Sequence, residues 1–334
     1  MSLPRIAIAT GDPAGIGPEI ALKAALDARV QALCRPLLVG DPAAVQLHAE
    51  AAGLAPRLHI IARAGDADWS NGAVNLLDAG DGANTPVIFG KVDAAYGRAS
   101  LAAARRAIQC ARLGDVEAVV AAPQTERSIA AAGIGFDGYP SFVARETGTP
   151  VNDVYLMICF DDVRIAHATL HVSVREAVAL ITPERVERVI RVVDTALKRL
   201  GIASPKIFVG GLNPHAGEDG MFGSEENDII IPAIARAAQD GIAASGPFGA
   251  DTMFRKKDCD AYIVMLHDQG HIAAKLQAFN RTAGLSIGSP ILFSSVAHGS
   301  AHDIAGKGVA DPGAVIEAVT RLARVKAQGR DRAT

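Results

Sequence analysis

Residues 4–19 read Pro4-Arg5-Ile6-Ala7-Ile8-Ala9-Thr10-Gly11-Asp12-Pro13-Ala14-Gly15-Ile16-Gly17-Pro18-Glu19, which is a short apolar strand, a glycine-rich loop and the start of a helix. The same order recurs along the chain. Strands are predicted at 6–10, 36–39, 117–121, 163–171, 206–212 and 261–266, and helices at 18–30, 42–52, 99–113, 183–200, 225–239 and 312–325. Such alternation is typical of an α/β fold with a largely parallel sheet.

The length and composition indicate a globular protein with two domains. The chain has 334 residues, more than one simple core usually holds, and it is 49% hydrophobic and 21% charged. The segment from Arg63 to Asn84 is polar and rich in Gly and Asp, so we expect a surface excursion there. No repeat and no low-complexity linker marks a domain boundary.

Charge, cysteine content and apolar runs exclude several classes of protein. The formal net charge is −3 and no clustered basic face is indicated, so we expect no nucleic-acid partner. The four cysteines form no Cys-x-x-Cys pair, which fits a reducing compartment without a disulfide framework. No apolar run reaches the roughly 20 residues that span a bilayer, and the N-terminal residues lack a secretory signal. We therefore expect no membrane association and a cytoplasmic location.

Three of the nine histidines follow predicted strands. His171 ends one strand, and His215 and His267 each come just beyond another. In open α/β sheets, ligands bind beyond the carboxyl ends of strands, so three imidazoles there can converge on one divalent ion. A lone histidine at a strand end is more often a hydrogen-bonded structural residue. We interpret His167, on the same strand as His171, as a neighbour of the site rather than a ligand.

Two glycine-rich loops are candidates for binding a nucleotide. The loop from Gly11 to Glu19 can present backbone N–H groups to an anion at a helix N-terminus, although its spacing is not the Gly-x-Gly-x-x-Gly of a Rossmann site. The loop from His298 to Gly308 has small residues that let a flat ligand approach the backbone, and an Asp that can hold ribose hydroxyls. Either loop can also be a simple turn, so spacing alone does not decide.

Long motifs in this chain resemble the 4-hydroxythreonine-4-phosphate dehydrogenase (PdxA) family over nearly its whole length. Besides the loop from Gly11 to Glu19, the matching motifs are Gly211-Leu212-Asn213-Pro214-His215-Ala216-Gly217-Glu218, Ala250-Asp251-Thr252, His267-Asp268-Gln269-Gly270 and His298-Gly299. The loop from His298 also resembles the NAD loop of the isopropylmalate and isocitrate dehydrogenases, which share the fold.

The resemblance implies a two-domain α/β/α subunit of the isocitrate and isopropylmalate dehydrogenase type, with its active site in the interdomain cleft. It implies a cofactor-side domain at 1–125 and 280–334, and a metal, substrate and dimerisation domain at 126–279. It implies a homodimer with shared active sites, in which His171 and His215 act with His267 of the other subunit to hold the metal. That metal is Zn, or alternatively Mg, Mn, Co or Ni. The residues that would hold NAD or NADP are Gly11, Asp12, Gly15, His298, Gly299, Ser300 and Asp303.

The expected substrate-binding residues are Tyr139, Pro140, Ser141, Lys275, Gly284 and Phe293. The vitamin B6 enzymes carry Gly-His-Thr-Glu where this chain has Gly138-Tyr139-Pro140-Ser141, and they carry Asn at the position of Gly284 and Arg at that of Phe293. A phosphate monoester favours cationic donors, and Phe in place of Arg makes the pocket more apolar. These differences resemble the dehydrogenases that act on the cis-dihydrodiol of terephthalate, a cyclic carboxylated substrate without phosphate.

The predicted function is oxidation, and decarboxylation, of a small hydroxy acid by an enzyme that uses NAD(P) and a divalent metal. The metal would orient the substrate and lower the pKa of its hydroxyl, and Lys275, Asp268 or Asp251 would move the protons. The nearest alternative is action on 4-hydroxythreonine phosphate or on another phosphorylated hydroxy acid such as a threonate. Alternatives of other classes are a His-metal hydrolase without nicotinamide and a binding protein without activity.

Overall fold

The computed structural model describes residues 3–70, 72–80, 86–278 and 282–331. Contacts between Cα atoms divide the chain into two compact units, Met1–Gly148 with Pro290–Thr334, and Thr149–Ser289. The first division falls after Gly148 rather than at 125/126, because the two helices that follow residue 125 pack against the helix Ala94–Leu113. The second predicted boundary, at 279/280, lies outside the described residues.

Strands and helices alternate through most of the described chain. The strands are β1 (Arg5–Ala9), β2 (Arg35–Gly40), β3 (Leu58–Ile61), β4 (Val74–Asp78), β5 (Ala118–Ala121), β6 (Tyr155–Phe160), β7 (Val163–His167), β8 (Lys206–Gly210), β9 (Ala243–Phe248), β10 (Ala261–Val264), β11 (Ala283–Ile287) and β12 (Phe293–Val296). The helices are α1 (Gly17–Leu26), α2 (Ala28–Leu33), α3 (Pro42–Ala51), α4 (Ala94–Leu113), α5 (Glu126–Ala131), α6 (Tyr139–Thr147), α7 (Val174–Leu180), α8 (Pro183–Arg199), α9 (Ile231–Gln239), α10 (His267–Ala278) and α11 (Gly313–Asp331). Within the described ranges, no helix combines the length and the apolar character needed to cross a bilayer.

The first unit is built on a parallel sheet whose described strands follow the order β3-β4-β2-β1-β5-β12. In its centre, Ile8 of β1 lies opposite Leu38 of β2 and Val120 of β5. These apolar residues are fully buried, and helices α4 and α11 pack against the sheet. Because β1 and β5 are parallel neighbours, the loops that follow them begin at the same edge of the sheet.

The first predicted helix of this unit is two helices, so the prediction of one helix at 18–30 was wrong. The chain breaks at Asp27, whose backbone is extended (φ −67°, ψ 127°). The Asp27 side chain accepts hydrogen bonds from the N–H groups of Arg29 and Val30, which makes it the N-cap of α2. The apolar periodicity continues across Asp27 and does not indicate a cap there, so the break between the two helices was not predicted from the sequence.

The polar segment from Arg63 to Asn84 is not a simple surface excursion, and the prediction was wrong for its described part. It contains β4, which pairs with β2 and β3 inside the sheet. Asn75 of β4 is buried, and its amide both accepts from the N–H and donates to the carbonyl of Asp68, each at 2.9 Å. A polar side chain whose hydrogen bonds are satisfied in this way can occupy a buried strand.

The second unit has a mixed sheet, and its described strands follow the order β11-β6-β7-β10-β8-β9. Strands β7, β10, β8 and β9 are parallel, whereas β6 pairs antiparallel with both β7 and β11. Helices α8 and α10 pack against this sheet. As predicted, Thr182 caps α8, because its hydroxyl oxygen accepts from the N–H of Arg185 at 3.2 Å. The parallel strands bring the carboxyl ends of β7, β10 and β8 to one edge.

Two elements near this edge differ from the prediction. Strand β7 ends at His167, so His171 lies in the loop before α7 rather than on the strand. The helix predicted at 225–239 begins as a π-helical turn, Glu226–Ile230, and continues as α9. Single π turns are frequent at functional sites.

Candidate active site

The predicted metal ligands lie beyond the carboxyl ends of parallel strands in the second unit. His171 follows β7, His267 opens α10 after β10, and His215 follows β8. The ring centroids of His171 and His267 are 5.7 Å apart, so the structure brings two of the three predicted ligands together. Among the residues that the structure describes, no group of three or more His, Cys, Asp or Glu side chains is placed to hold a metal within one chain.

A carboxylate lies at the Nδ1 atom of two of these histidines. Nδ1 of His267 is 2.6 Å from Oδ1 of Asp268, and Nδ1 of His215 is 3.0 Å from Oε2 of Glu218. A carboxylate that accepts from Nδ1–H fixes the ring orientation and leaves the Nε2 lone pair available. Both rings therefore present the kind of nitrogen donor that binds zinc and similar ions, and the residues fit a divalent metal.

The loop that carries His215 has an unusual backbone. Residues 215–219 all have positive φ, between 44° and 82°. Only Gly217 among them lacks a side chain. For each of the other four residues, the left-handed backbone conformation costs about 1–2 kcal/mol, because the Cβ atom comes too close to the following carbonyl oxygen. Strained backbone of this kind concentrates at functional sites, where the surrounding structure holds it in place.

Two further histidines lie against the pair. The ring of His271 stacks on that of His267 at 3.7 Å and lies 4.7 Å from that of His167. Burial is the main cause that lowers the pKa of His167 to about 3 and that of His271 to about 4, so both are neutral at pH 7. Nε2 of His167 has no hydrogen-bond partner among the described residues and faces Gly270, where an added Cβ would lie 2.3 Å away.

The predicted proton carriers of the second unit lie on α10 and on the loop after β9. Lys275 is half-buried, and this burial lowers the pKa of its ammonium group. Asp251 lies beside the His215 loop, because a Cβ on Gly249 would be 2.8 Å from Oδ1 of Asp251 and 3.7 Å from Cα of His215. Gly284, a predicted substrate residue, is buried in β11.

The two glycine-rich loops of the first unit pack against each other. The N–H of Ile16 donates to the carbonyl of Ser300 at 2.8 Å, and a Cβ on Gly15 would lie 2.6 Å from the Cβ of Ser300. The buried Asp12 carboxylate lies 3.3 Å from Nε2 of His302 and also accepts a backbone N–H of its own loop at 2.8 Å. The structure thus brings three of the predicted cofactor residues together, and their contacts define the shape of both loops.

Thr125 joins these loops and was not identified from the sequence. Its hydroxyl lies 2.9 Å from Oγ of Ser300 and 3.0 Å from Nε2 of His302. The available signal was its place in the loop that follows β5, the parallel neighbour of β1, which is itself followed by the loop that begins at Gly11. Of the four other predicted cofactor residues, Gly11 is buried in the first loop, whereas His298, Gly299 and Asp303 of the second loop are half-buried or exposed.

The predicted substrate residues of the first unit include an aromatic pair. The ring centroids of Tyr139 and Phe293 are 5.0 Å apart, and the Tyr139 hydroxyl donates to the carbonyl of Ala122 at 3.1 Å. Burial raises the pKa of Tyr139, so its hydroxyl stays protonated. Phe293 is 1% exposed and belongs to the hydrophobic core. Pro140 and Ser141 follow in the first turn of α6 and are half-buried.

Comparison with known proteins identifies relatives along nearly the whole chain. A family model described as "Pyridoxal phosphate biosynthetic protein PdxA" matches residues 32–322. The chain is 38% identical over 320 residues to the 1,2-dihydroxy-3,5-cyclohexadiene-1,4-dicarboxylate dehydrogenase of Comamonas sp., which covers 95% of this chain and 96% of the relative. It is 36% identical over 330 residues to the D-threonate 4-phosphate dehydrogenase of Cupriavidus necator, which covers 97% of each.

Solved structures give the same result. The terephthalate 1,2-cis-dihydrodiol dehydrogenase of Burkholderia xenovorans is 41% identical, with a TM-score of 0.69 over 95% of this chain and 98% of that one. An isocitrate dehydrogenase of Methylococcus capsulatus, 18% identical with a TM-score of 0.50 over 100% of this chain and 89% of that one, shares the fold alone. The predicted α/β fold of the isocitrate dehydrogenase type and the predicted oxidoreductase class are confirmed. The chain belongs to the PdxA family.

Proposed function

We propose that this chain oxidises the ring alcohol of a small carboxylated cis-dihydrodiol, such as that of terephthalate. NAD or NADP accepts the hydride, and a divalent metal is the second cofactor. The reaction removes a hydride from carbon and a proton from the hydroxyl. The resulting β-keto acid loses CO2 and becomes a catechol. The relatives from Comamonas sp. and Burkholderia xenovorans are both named as dehydrogenases of a carboxylated cyclohexadiene diol, which supports this choice of substrate class.

The observation that carries the choice of substrate is the contact between Tyr139 and Phe293. By resemblance, the vitamin B6 enzymes, whose substrate is a phosphate ester, have His and Arg at these two positions. Here both are aromatic, with centroids 5.0 Å apart, and Phe293 is almost fully buried. An arginine at that buried position without an anion would cost several kcal/mol, so this part of the unit is built for apolar contacts. A cyclic substrate packs well against aromatic side chains.

The metal would be held by His171, His215 and His267, all as neutral imidazoles. When bound, it would lower the pKa of the substrate hydroxyl and polarise the carbonyl that forms. Asp268 and Glu218 would hold two of the rings at Nδ1, which favours zinc; Mg, Mn, Co and Ni are the alternatives to be compared.

Lys275 is proposed to accept the hydroxyl proton. Burial lowers its pKa, so a larger fraction of its amine is neutral near pH 7 than in an exposed lysine. Asp268 is engaged by Nδ1 of His267 and would act first by orienting that ring. Asp251, an exposed carboxylate beside the His215 loop, stays a candidate for returning a proton after CO2 leaves.

The nicotinamide cofactor is proposed to bind along the two packed loops of the first unit. Asp12, Gly15 and Ser300 hold these loops against each other. The more exposed residues of the second loop would then contact the nucleotide, with Asp303 as a partner for ribose hydroxyls. Gly11 keeps a positive φ of 72°, and its missing side chain leaves room for the carbonyl of Pro123.

We also propose a homodimer with shared active sites. The second unit exposes large apolar side chains, including Leu276 at 83%, Met221 at 73% and Val174 at 71%. Exposed apolar side chains that lie together on one face are typical of interaction surfaces. Leu276 lies on α10, the helix that begins with His267. By the resemblance, the metal site combines His171 and His215 of one subunit with His267 of the other, and the described residues of one chain form no such group of three.

A second candidate is oxidation of a phosphorylated hydroxy acid such as D-threonate 4-phosphate. The relative from Cupriavidus necator, 36% identical over 97% of the chain, carries that name. Lys275 is a cation of the type that binds phosphate, and its partial burial would strengthen that contact. This candidate differs from the first in substrate but uses the same metal and cofactor residues.

The proposal is tested with protein stripped by a chelator and reloaded with one divalent metal at a time. Formation of the reduced nicotinamide is followed with the terephthalate cis-dihydrodiol and either NAD or NADP. We expect turnover that requires metal, yields a catechol, and falls at least 10²-fold in His171→Ala. The matched control is His59→Gln, a histidine of the first unit that is far in sequence from every proposed site residue. Absence of nicotinamide reduction with every metal would contradict the proposal.

A further inference from the structure

We propose that Glu226 is a positioning residue of the metal site, because it holds the loop that carries His215 in its strained conformation. This inference rests on the proposed function, since it takes His215 to be a metal ligand. The role is structural at the site: Glu226 would touch neither the substrate nor the metal.

The Glu226 carboxylate is buried and accepts three hydrogen bonds from one short segment. It is 2% exposed, and its Oε1 accepts from the N–H groups of Leu212 at 2.7 Å and Asn213 at 2.8 Å. Its Oε2 accepts from Nδ2 of Asn213 at 2.9 Å. Hydrogen bonds to an ionised acceptor are about twice as strong as neutral ones, so this carboxylate fixes the segment just before His215.

These bonds also keep Glu226 charged. Burial alone would raise its pKa, but the backbone and side-chain bonds from Asn213 and the N–H of Leu212 outweigh burial, and the pKa lies below its ordinary value. A buried carboxylate is tolerated when donors of this kind surround it. The carboxylate is therefore an acceptor for the loop at any pH near neutrality.

The same carboxylate shapes the backbone on the other side of His215. A Cβ added to Gly217 would lie 2.7 Å from Oε2, and one added to Gly211 would lie 3.1 Å from Oε1. Gly217 has a φ of 82°, in the middle of the left-handed run. The loop thus touches Glu226 both before and after His215, which explains how four non-glycine residues are kept at positive φ.

Glu226 itself is anchored to the body of the second unit. It opens the π-helical turn that continues into α9, and α9 packs against α8 and β9. A π turn inside a helix changes the direction in which its side chains point. The Glu226 carboxylate therefore connects the loop that carries His215 to a helix that packs against the rest of the second unit.

The adjacent Glu225 provides a matched control. It accepts from the same Nδ2 atom of Asn213 at 2.7 Å, but it is only half-buried, and no bond to the backbone of the loop is found for it within the described residues. Glu225→Gln and Glu226→Gln are the same chemical change one residue apart. In Glu226→Gln the side chain keeps its volume, but one end becomes a donor and faces a donor of the loop.

The test measures Zn²⁺ affinity of the full-length, metal-stripped protein by competition with a chromophoric chelator. We expect Glu226→Gln to weaken binding about 10- to 100-fold, the range found for partners of metal ligands, and Glu225→Gln to stay within about 3-fold. A second readout needs no metal: hydrogen exchange of a peptide spanning 211–219 should accelerate in Glu226→Gln and not in Glu225→Gln.

A parallel His215→Ala variant distinguishes a failure of the proposed metal site from a failure of the proposed role of Glu226. If His215→Ala binds Zn²⁺ as tightly as the parent, the proposed metal site is wrong. If His215→Ala weakens binding while a folded Glu226→Gln does not, the positioning role is wrong. Should Glu226→Gln fail to fold, Asn213→Ala removes the side-chain bonds to Glu225 and Glu226 and leaves the two backbone bonds to Glu226. It should weaken Zn²⁺ binding several-fold, and unchanged affinity there overturns the inference.

Discussion

Gly270 of α10 is a position at which the addition of a single methyl group should destabilise the protein. It lies between His267 and His271, against the buried ring of His167. A Cβ at this position would be 2.3 Å from Nε2 and 2.9 Å from Cε1 of that ring, and 2.9 Å from Cγ2 of Ile165. None of these atoms is at the mobile end of an exposed side chain, so Gly270→Ala must displace either the ring or the first turn of α10.

The expected change in the free energy of unfolding is the sum of two opposing effects. Overpacking a buried site by one methyl group costs about 1–3 kcal/mol, and replacing Gly by Ala in a helix regains up to about 1 kcal/mol. We expect a net loss of about 1–2 kcal/mol, which lowers the melting temperature of a domain of this size by roughly 2–8 °C. Displacement of the turn also moves His267, so Zn²⁺ affinity should fall about 10-fold.

The assay is thermal unfolding of the metal-free protein, together with a double-variant cycle that includes His167→Ala. Removing the ring should abolish most of the cost of Gly270→Ala and give a coupling energy of about 1 kcal/mol or more. Gln277→Ala, an exposed change on the same helix, serves as the control and should lie within about 0.5 kcal/mol of the parent. A Gly270→Ala protein as stable as the parent, with no coupling to His167, would show that the His167 ring does not limit the space at Gly270.

Three further predictions concern the site. Asp268→Asn replaces the acceptor 2.6 Å from Nδ1 of His267, and should weaken Zn²⁺ binding about 10-fold by chelator competition; unchanged affinity counts against its orienting role. Burial lowers the pKa of Lys275, so if its neutral amine is the base, kcat/KM should rise with pH and level off below pH 10.5, the pKa of an ordinary lysine. If Lys275→Arg shows the same rise of kcat/KM with pH, Lys275 is not the base. Gly15→Ala should raise the KM for the nicotinamide cofactor at least 10-fold, because its Cβ would meet the second loop at 2.6 Å, whereas Gly135→Ala, which enters open space, should not change it.

The α/β class could be predicted because its central strands carry a local signal. β5 and the part of β1 after Arg5 are continuous apolar runs, and the N-cap of α8 is indicated by the consecutive residues Thr182, Pro183 and Glu184. β4 was missed because its buried Asn75 looks like a surface residue until its bonds to Asp68 are seen. The break at Asp27 was missed for a related reason: the hydrogen bonds of one side chain, and not a pattern, set the boundary.

The sequence singles out the proposed metal ligands of the candidate site but not the residues that support them. Strand ends and glycine-rich motifs singled out His171, His215 and His267, because a sheet edge is where parallel strands deliver side chains. The residues that orient and hold them are not marked in this way. Glu226 follows His215 by eleven positions and acts through a loop that folds back on it. The stack of His271 on His267 depends on the start of α10, which needs the structure.

The substrate class is tested by a comparison of kcat/KM for two substrates in parallel. Zn-loaded protein is offered the terephthalate cis-dihydrodiol and D-threonate 4-phosphate with the same nicotinamide cofactor, and Tyr139→His is measured beside the parent. We expect a preference for the dihydrodiol of at least 10²-fold, and a smaller preference in Tyr139→His, because a polar ring replaces one member of the aromatic pair. A preference for the phosphate ester would contradict this expectation, and would mean that the contact between Tyr139 and Phe293 supports the core without selecting the substrate.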